Sequence, residues 1–473
     1  MFHRYTVCAF APLFVSSGLF VSSGLFFSSD AVALDVGFES QVLVSASDNV
    51  EADDKGEEIE GQVGTVQFGV FGEQRGTRLT GGFVGEIYST RRLDDPDDNF
   101  SAITQFLGAA EFQITPRSFS WYVGDILGNV RADEGIQLID NTNDEQRNVF
   151  ITGPQFVYEL DSFSRVDANF YYVNQTQDDV SLESLFNTNA NWSVDTDNGN
   201  TWGTALTNVF TDNPNDTVEG DFNRFSIAGT WNRSRARNTY AAQLGGTRYD
   251  TANESLNGVN VRFSINRQLS PQSEFGISVT RDLRDESLNL VQTFIDSGSS
   301  AQADRDGFFD ETRLDLNYAL TSAETALDLY AGVGQSEFRL LADNTGFVTD
   351  AADREDRTNF VAGSSLSHGI TTRVRMNALL SFSKQDFNNR PDTTQSVLGE
   401  AQLVYRLSRS FEVQLGYRFS VAEGQRTRID ENTREETLED IDSIENRASI
   451  GLRWAPPTRA TKDLTIQLKS LLQ

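Results

Sequence analysis

Residues 411–422 read FEVQLGYRFSVA, and the fold turns on how they alternate. Phe411, Val413, Leu415, Tyr417, Phe419 and Val421 share one parity, while Glu412, Gln414, Gly416, Arg418 and Ser420 share the other. Successive side chains of an extended strand point to opposite faces, so one face of this segment is apolar and the other wet. A soluble sandwich would bury the apolar face in a core. Lipid takes the place of that core only where the sheet closes and leaves no unpaired edge. The segment alone does not choose.

Repetition chooses. Similar stretches run at 36–46, 60–73, 77–91, 100–114, 118–131, 146–160, 164–176, 221–234, 238–249, 256–269, 273–286, 310–321, 325–340, 356–368, 372–386, 394–407, 411–424 and 443–454. That makes about eighteen strands, with sixteen as the alternative. Connectors after even-numbered stretches are short: Gln74-Arg75-Gly76, Thr115-Pro116-Arg117, Asp161-Ser162-Phe163, Ser270-Pro271-Gln272 and Ser408-Arg409-Ser410. Those after odd-numbered stretches are longer, the longest being 177–219, a loop that lies outside or folds into the lumen as a constriction or plug. Bacterial barrels keep short turns in the periplasm and long loops outside, with an even strand number. The pattern therefore predicts an all-β, transmembrane antiparallel β-barrel with both termini on the periplasmic side.

The N-terminal stretch MFHRYTVCAFAPLFVSSGLFVSSGLFFSSDAVALD fits this address. Arg4 supplies a positive start, a long apolar and small-residue run follows, and Ala31-Val32-Ala33 is a small-x-small cleavage site. The competing reading, a membrane-spanning helix between Val7 and Phe27, is weakened by the serines and glycines that interrupt it. The expected organisation is a cleaved signal peptide at 1–33, a barrel at 34–455, and a periplasmic tail or extra strand at 456–473. The only cysteine, Cys8, leaves with the signal, so neither disulfide nor thiolate chemistry is expected.

The formal charge of −30 argues against nucleic acid as a partner. Lysine occurs only at Lys55, Lys384, Lys462 and Lys469, so 35 of the 39 cations are arginines. Arginine holds fixed geometry with carboxylates and sulfated or phosphorylated groups, which suits ion-pair ladders on a barrel wall. With a three-residue turn at 408–410, facing residues in the last-but-one hairpin have numbers that sum to 818. Arg406 then faces Glu412 and Glu400 faces Arg418, all four on the polar face, where each opposite-charge pair contributes roughly 0.2–1 kcal/mol to the wall. The same parity turns Arg224, Arg262, Arg313, Arg375 and Arg453 inward, with Asp315, Asp328, Asn260, Asn317 and Asn377 among them. Each arginine alone suits wall stabilisation, and as a set they suit charge selection of anionic solutes or acidic sugars. Tyr405, Tyr417, Trp231 and Trp454 lie on the outward face as interfacial girdle residues. In NVFITGPQFVYEL the apolar phase switches across Gly153-Pro154, which predicts a bulge.

Four acidic segments, 93–100, 194–201, 304–311 and 434–442, fall in expected outer loops. They lack full calcium-loop ligand spacing and read as solvated faces or as divalent-cation bridges to lipopolysaccharide. Beyond the signal the chain holds one histidine, His368, in SLSHGITT at the periplasmic rim, where a Ser365/His368 pair is the arrangement to weigh. This does not support catalysis. No cofactor, metal or covalent step is expected.

The segments FGVFGEQRGTRLTGGFVGEIY (68–88), GPQFVYEL with DSFSRVDANFYY (153–172), and VRFSINRQLSPQSEFGISVTRDL (261–283) resemble the hairpins of the outer-membrane β-barrel porin family associated with exopolysaccharide and exosortase (PEP-CTERM) gene clusters. The resemblance implies an outer-membrane conduit for a secreted polysaccharide, working with inner-membrane synthesis and periplasmic export proteins. It carries over no functional residues. One departure stands out: barrels commonly end on an aromatic residue, whereas Trp454 is followed by APPTRATKDLTIQLKSLLQ, so the end signal is Trp454 itself or Leu464, Ile466 and Leu468 belong to a further strand. Two other functions remain open at this point: a general diffusion or nutrient-uptake porin, and a non-transporting surface barrel whose acidic loops bind cations or partners.

Overall fold

The computed structural model describes residues 34–49, 59–95, 101–131, 144–177, 180–196, 199–212, 221–251, 255–285, 300–302, 308–339, 356–387, 393–429 and 436–456. The expected signal peptide and nearly all of the 456–473 tail lie outside these residues. The strands are β1 (Leu34–Ser47), β2 (Gly61–Arg75), β3 (Leu79–Arg92), β4 (Ser101–Thr115), β5 (Phe119–Arg131), β6 (Asp144–Glu159), β7 (Ser164–Gln177), β8 (Val180–Thr196), β9 (Asn200–Asp212), β10 (Phe222–Arg235), β11 (Asn238–Thr251), β12 (Ser255–Ser270), β13 (Ser273–Asp285), β14 (Ser300–Gln302), β15 (Phe308–Thr321), β16 (Thr325–Arg339), β17 (Arg357–Gly369), β18 (Val374–Phe387), β19 (Thr393–Arg406), β20 (Phe411–Ile429) and β21 (Glu436–Trp454). All but β14 pair antiparallel with their sequence neighbours, and β1 pairs with β21 from Ser40–Trp454 to Ser47–Arg447, which closes the ring. The wall therefore has no free edge strand and satisfies its backbone without water, the condition for crossing a bilayer in strands.

Twenty wall strands replace the expected eighteen because 177–219 is not an outer loop. It supplies β8 and β9, joined through Gly199, whose φ of +69° is a left-handed turn conformation glycine adopts without strain. The acidic 194–201 segment is thus the end of β8 and the start of β9 rather than an outer loop, the Gly199 N–H donating to the Thr196 carbonyl at 3.1 Å, and the sequence pair Asn198-Gly199 is a strong hairpin signal. The other predicted short turns fall where expected, as does the even strand number. The long final hairpin takes in part of 434–442, since β20 and β21 pair out to Ile429–Glu436.

Among the described residues the exposed large apolar side chains of the wall strands fall on one parity, with Tyr330 of β16 as the single exception: Val36, Phe38, Val42 and Val44 in β1, Phe225 and Ile227 in β10, Leu403 and Tyr405 in β19, Phe411, Leu415 and Tyr417 in β20, Ile450, Leu452 and Trp454 in β21. This is the lipid face, and the other parity lines the lumen. All five tryptophans, Trp121, Trp192, Trp202, Trp231 and Trp454, sit on the lipid face near the short-turn end. Trp202, Trp231 and Tyr240 pack in a row with centroids 6.2 and 6.4 Å apart, a girdle at one interface.

No bulge occurs at Gly153-Pro154. The β5–β6 ladder runs through it without a shift, and β6–β7 keeps one register on both sides. The apolar phase switches because Val149 and Ile151 face inward and are buried, while Phe156 and Tyr158 face lipid. They belong to a lumen-facing apolar stripe near the long-connector end that also includes Ile126, Val173, Leu185, Val209, Phe222 and Tyr249, all at most 6% exposed.

Candidate functional site

The lumen wall is assembled by register. The β19–β20 ladder places Arg406 opposite Glu412 and Glu400 opposite Arg418, the pairs parity predicted, with N–O separations of 3.4 and 3.6 Å. Arg453 then joins the last strands to the first: its guanidinium lies 2.5 Å from Glu39 on β1 and 3.3 Å from Glu412 on β20. Glu39 is 5% exposed. The chain Glu39–Arg453–Glu412–Arg406 thus spans the seam where the ring closes. Further along the seam, Glu445 accepts from Ser47 at 2.8 Å and pairs with Arg447 at 2.7 Å. Sequence parity alone placed Arg453 inward but did not give Glu39 as its partner, because the β1–β21 register follows only from closure.

Amides continue the lining. Ser367 donates to Asn377, Asn377 to Gln402, Gln402 to Gln414, and Gln41 to Gln414, at 2.9, 3.0, 3.2 and 3.1 Å. Between Gln41 and Gln414 runs β21, where Gly451 stands directly opposite Gln414 and leaves the span clear. Further round the wall, on β11 to β17, Arg313 pairs with Asp315 at 2.7 Å, Gln243 donates to Asn260 at 3.1 Å, and Ser365 donates to Asp328 at 3.3 Å. Arg262 faces Gln243 and Thr280, Asn317 faces Tyr330, and Arg375 faces Val404, all on the lumen parity.

Ser365 and His368 are not brought together. Ser365 faces the lumen beside Asp328, whereas His368 has the opposite parity and its Nδ1 lies 2.8 Å from Thr325 Oγ1. Among the described residues no group of three metal-ligating side chains occurs. In the 93–100 segment the described Asp94 caps a strand end, accepting from the Gln62 N–H and from Arg92 at 3.0 and 3.2 Å, and these contacts hold its carboxyl below the usual range. In 304–311, Asp310 belongs to β15 and pairs with Arg281 at 2.8 Å.

The long-connector end is narrowed from the wall itself. The β12–β13 ladder stops at Val261–Arg281, yet β12 runs on to Ser255 and β13 keeps pairing with β15 as far as Asp285–Phe308. Leu283 is 2% exposed and packs with Phe222, Tyr249 and Leu256; Tyr249 Oη donates to the Leu283 carbonyl at 3.3 Å. Asp282 accepts from Arg224 at 3.0 Å and from Thr247 at 3.4 Å. The upper β13–β15 hairpin therefore leans over the lumen side of β10–β12. Gly258 permits this, since a Cβ there would fall 2.5 Å from Leu283 Cβ. Past this hairpin, β14 adds parallel to Asn129–Arg131 of β5, eight strand positions away in the ring of twenty. It takes the β5 edge that β4 leaves, because the β4–β5 ladder ends at Phe106–Leu127.

A closed antiparallel wall, a lipid face with an aromatic girdle and a polar lining define an outer-membrane β-barrel. No family model and no curated protein matches the chain. Among solved structures it is similar to the FrpB iron transporter from Neisseria meningitidis, at 10% identity and a TM-score of 0.50, over 89% of this chain and 81% of that one. It also matches OccAB4 of Acinetobacter baumannii at 7% identity over 90% of this chain and 100% of that one, and OccK5 of Pseudomonas aeruginosa at 8% over 89% and 98%, each with a TM-score of 0.37. At these identities the FrpB likeness speaks for the fold alone, and the two weaker scores carry no argument.

Proposed function

We propose that the barrel is a passive outer-membrane porin that conducts an exported polysaccharide, working with inner-membrane synthesis and periplasmic export proteins. The observation that carries this reading is the lining: a continuous run of a hydroxyl and amides from Ser367 to Gln41, beside the Arg406–Glu412–Arg453–Glu39 charge chain, inside a closed wall. Amide and carboxylate groups in a wet lumen exchange hydrogen bonds with sugar hydroxyls as readily as with water, so a hydrated chain slides without a deep trap. Lumen arginines, including Arg262, Arg313 and Arg375, favour acidic sugars at entry. Lipid and lipopolysaccharide contact the outer face. The polysaccharide itself rests on the hairpin resemblance to the exosortase-associated porins.

The test is a clean deletion in the native host with extracellular and periplasmic polysaccharide quantified side by side. Loss outside with accumulation inside is the expected result. Unchanged amounts in both places would overturn the export reading in favour of a diffusion or nutrient-uptake porin, or of a non-transporting surface barrel. Open conductance in a planar bilayer separates those two.

A further inference from the structure

Among the described residues forty-seven large apolar side chains are exposed, and on the wall strands all but one of them lie on the lipid parity. The exception is Tyr330, 44% exposed, whose direct partners Asn317 and Gly363 are both lumen residues. Of the other described lumen aromatics with assigned burial, Phe71, Tyr122, Tyr171, Phe222, Tyr249 and Phe309 are at most 6% exposed and Tyr88 and Phe387 are half-buried, so Tyr330 is the one that is exposed. An exposed ring in a water-filled lumen gains nothing from the wall, so its surroundings decide what it is for.

Those surroundings form a row. Four consecutive ladders pair Asn266 with Gly276, Gly276 with Asn317, Asn317 with Tyr330, and Tyr330 with Gly363, so five lumen positions on β12, β13, β15, β16 and β17 stand side by side. The two glycines shape it. A Cβ at Gly363 would overlap the Tyr330 ring, which therefore lies down over that bare stretch of backbone. A Cβ at Gly276 would overlap the Oδ1 atoms of both Asn317 and Asn266, so the two amides lean together over that gap. One row toward the short-turn end stand Asp328 and Ser365, directly paired and hydrogen-bonded at 3.3 Å. One row the other way Asp315 leans over Gly332, joined to Arg313 at 2.7 Å. The result is a flat aromatic floor bordered by amides, a hydroxyl and carboxylates.

We propose that Tyr330 is the floor of a saccharide subsite on the lumen wall, near the periplasmic entrance. The axial C–H groups of a pyranose carry partial positive charge and stack on the negative face of an aromatic ring. Its equatorial hydroxyls then point sideways, where Asn317 and Asn266 donate and accept and Asp328 accepts. Arg313 is placed for a carboxylate substituent of an acidic sugar. Tyr330 is the sixth residue of β16 counted from the short turn, so a glycan arriving from the periplasm meets this subsite before the narrowed outer end. The inference deepens the conduit reading and rests on it for the choice of a glycan as solute.

The experiment uses the full-length barrel in detergent, with saturation-transfer NMR and titration against two probes: a neutral gluco-hexasaccharide and a hexauronate. Wild type is expected to bind at least one, with transfer to the axial ring protons. Tyr330→Ala is expected to weaken binding at least about ten-fold, equivalent to about 1.4 kcal/mol, while Tyr330→Phe retains it. Gly363→Ala, which displaces the ring without removing it, is expected to behave like Tyr330→Ala. Each variant is first shown to be folded by its heat-modifiable gel mobility. Binding of neither probe by wild type, or equal binding by folded Tyr330→Ala, would overturn the subsite. Tyr330-dependent binding together with an unchanged polysaccharide phenotype in the deletion strain would sink the export reading and leave the subsite standing.

Discussion

Replacing Arg453 tests whether the ring is locked at its seam by charge. Arg453→Met keeps much of the side-chain volume but strands Glu39, which is 5% exposed and loses contacts at 2.5 and 3.2 Å. Glu412 suffers less, since it is 22% exposed and keeps Arg406 at 3.4 Å. Removing one partner of a buried pair costs about 3–5 kcal/mol. Arg453 is 32% exposed, so a cost below that range, about 2–3 kcal/mol, is the expectation here. The assay is the urea midpoint at which the folded, fast-migrating gel band disappears, at neutral pH and low salt. Glu39→Gln and the double variant complete a cycle, in which the paired residues should show a coupling of at least about 1 kcal/mol. Arg375→Met, removing an exposed lumen arginine, is the control and should change stability by no more than about 0.5 kcal/mol. The reasoning fails if Arg453→Met loses no more than the control, or if the Glu39 and Arg453 effects simply add.

The leaning β13–β15 hairpin gives a second prediction: with a cysteine at Leu283 as the barrel's introduced thiol, labelling by a hydrophilic maleimide should be slow, and Arg224→Ala with Asp282→Ala should speed it about ten-fold. Unchanged labelling would mean that the pair does not hold the hairpin. At the 160–163 turn the N–H groups of Phe163 and then Ser164 donate to Asp161 and depress its carboxyl below the usual range. A folded value below the unfolded one means stabilisation that is present above the ordinary carboxylate range and lost as pH falls through the folded value. Wild type and Asp161→Ala should therefore differ in midpoint at neutral pH and converge on acidification, and a gap constant with pH would refute the turn's charge dependence. Because all five tryptophans ring one interface on the lipid face, brominated lipids should quench the fluorescence strongly and aqueous acrylamide weakly. The reverse order would contradict the girdle.

How much was legible in the chain follows particular residues. The alternation at 411–422 and a three-residue turn were enough to predict Arg406–Glu412 and Glu400–Arg418, because antiparallel register is arithmetic once a turn is known. The same reasoning failed at β8 and β9, where Thr188, Thr204 and Asn208 sit on the lipid parity and Leu185 and Val209 face inward, blurring the two faces. It also read Val149 and Ile151 as lipid-facing and invented a bulge to save the phase, since the period of a strand reports alternation and not which side is the lumen.

Sequence by itself determined the class of fold, the even strand number, the positions of most short turns and the inward parity of the arginines it singled out, such as Arg406 and Arg453. Each depends on one strand or one hairpin, where geometry is local. Only the tertiary structure decided the seam, where Arg453 meets Glu39 from 414 residues away, the hairpin that leaves the wall above Val261–Arg281, and the row from Asn266 to Gly363. These arise from closure and from several ladders stacked in series. A glycine on one strand and an aromatic on the next mean nothing until the register sets them side by side.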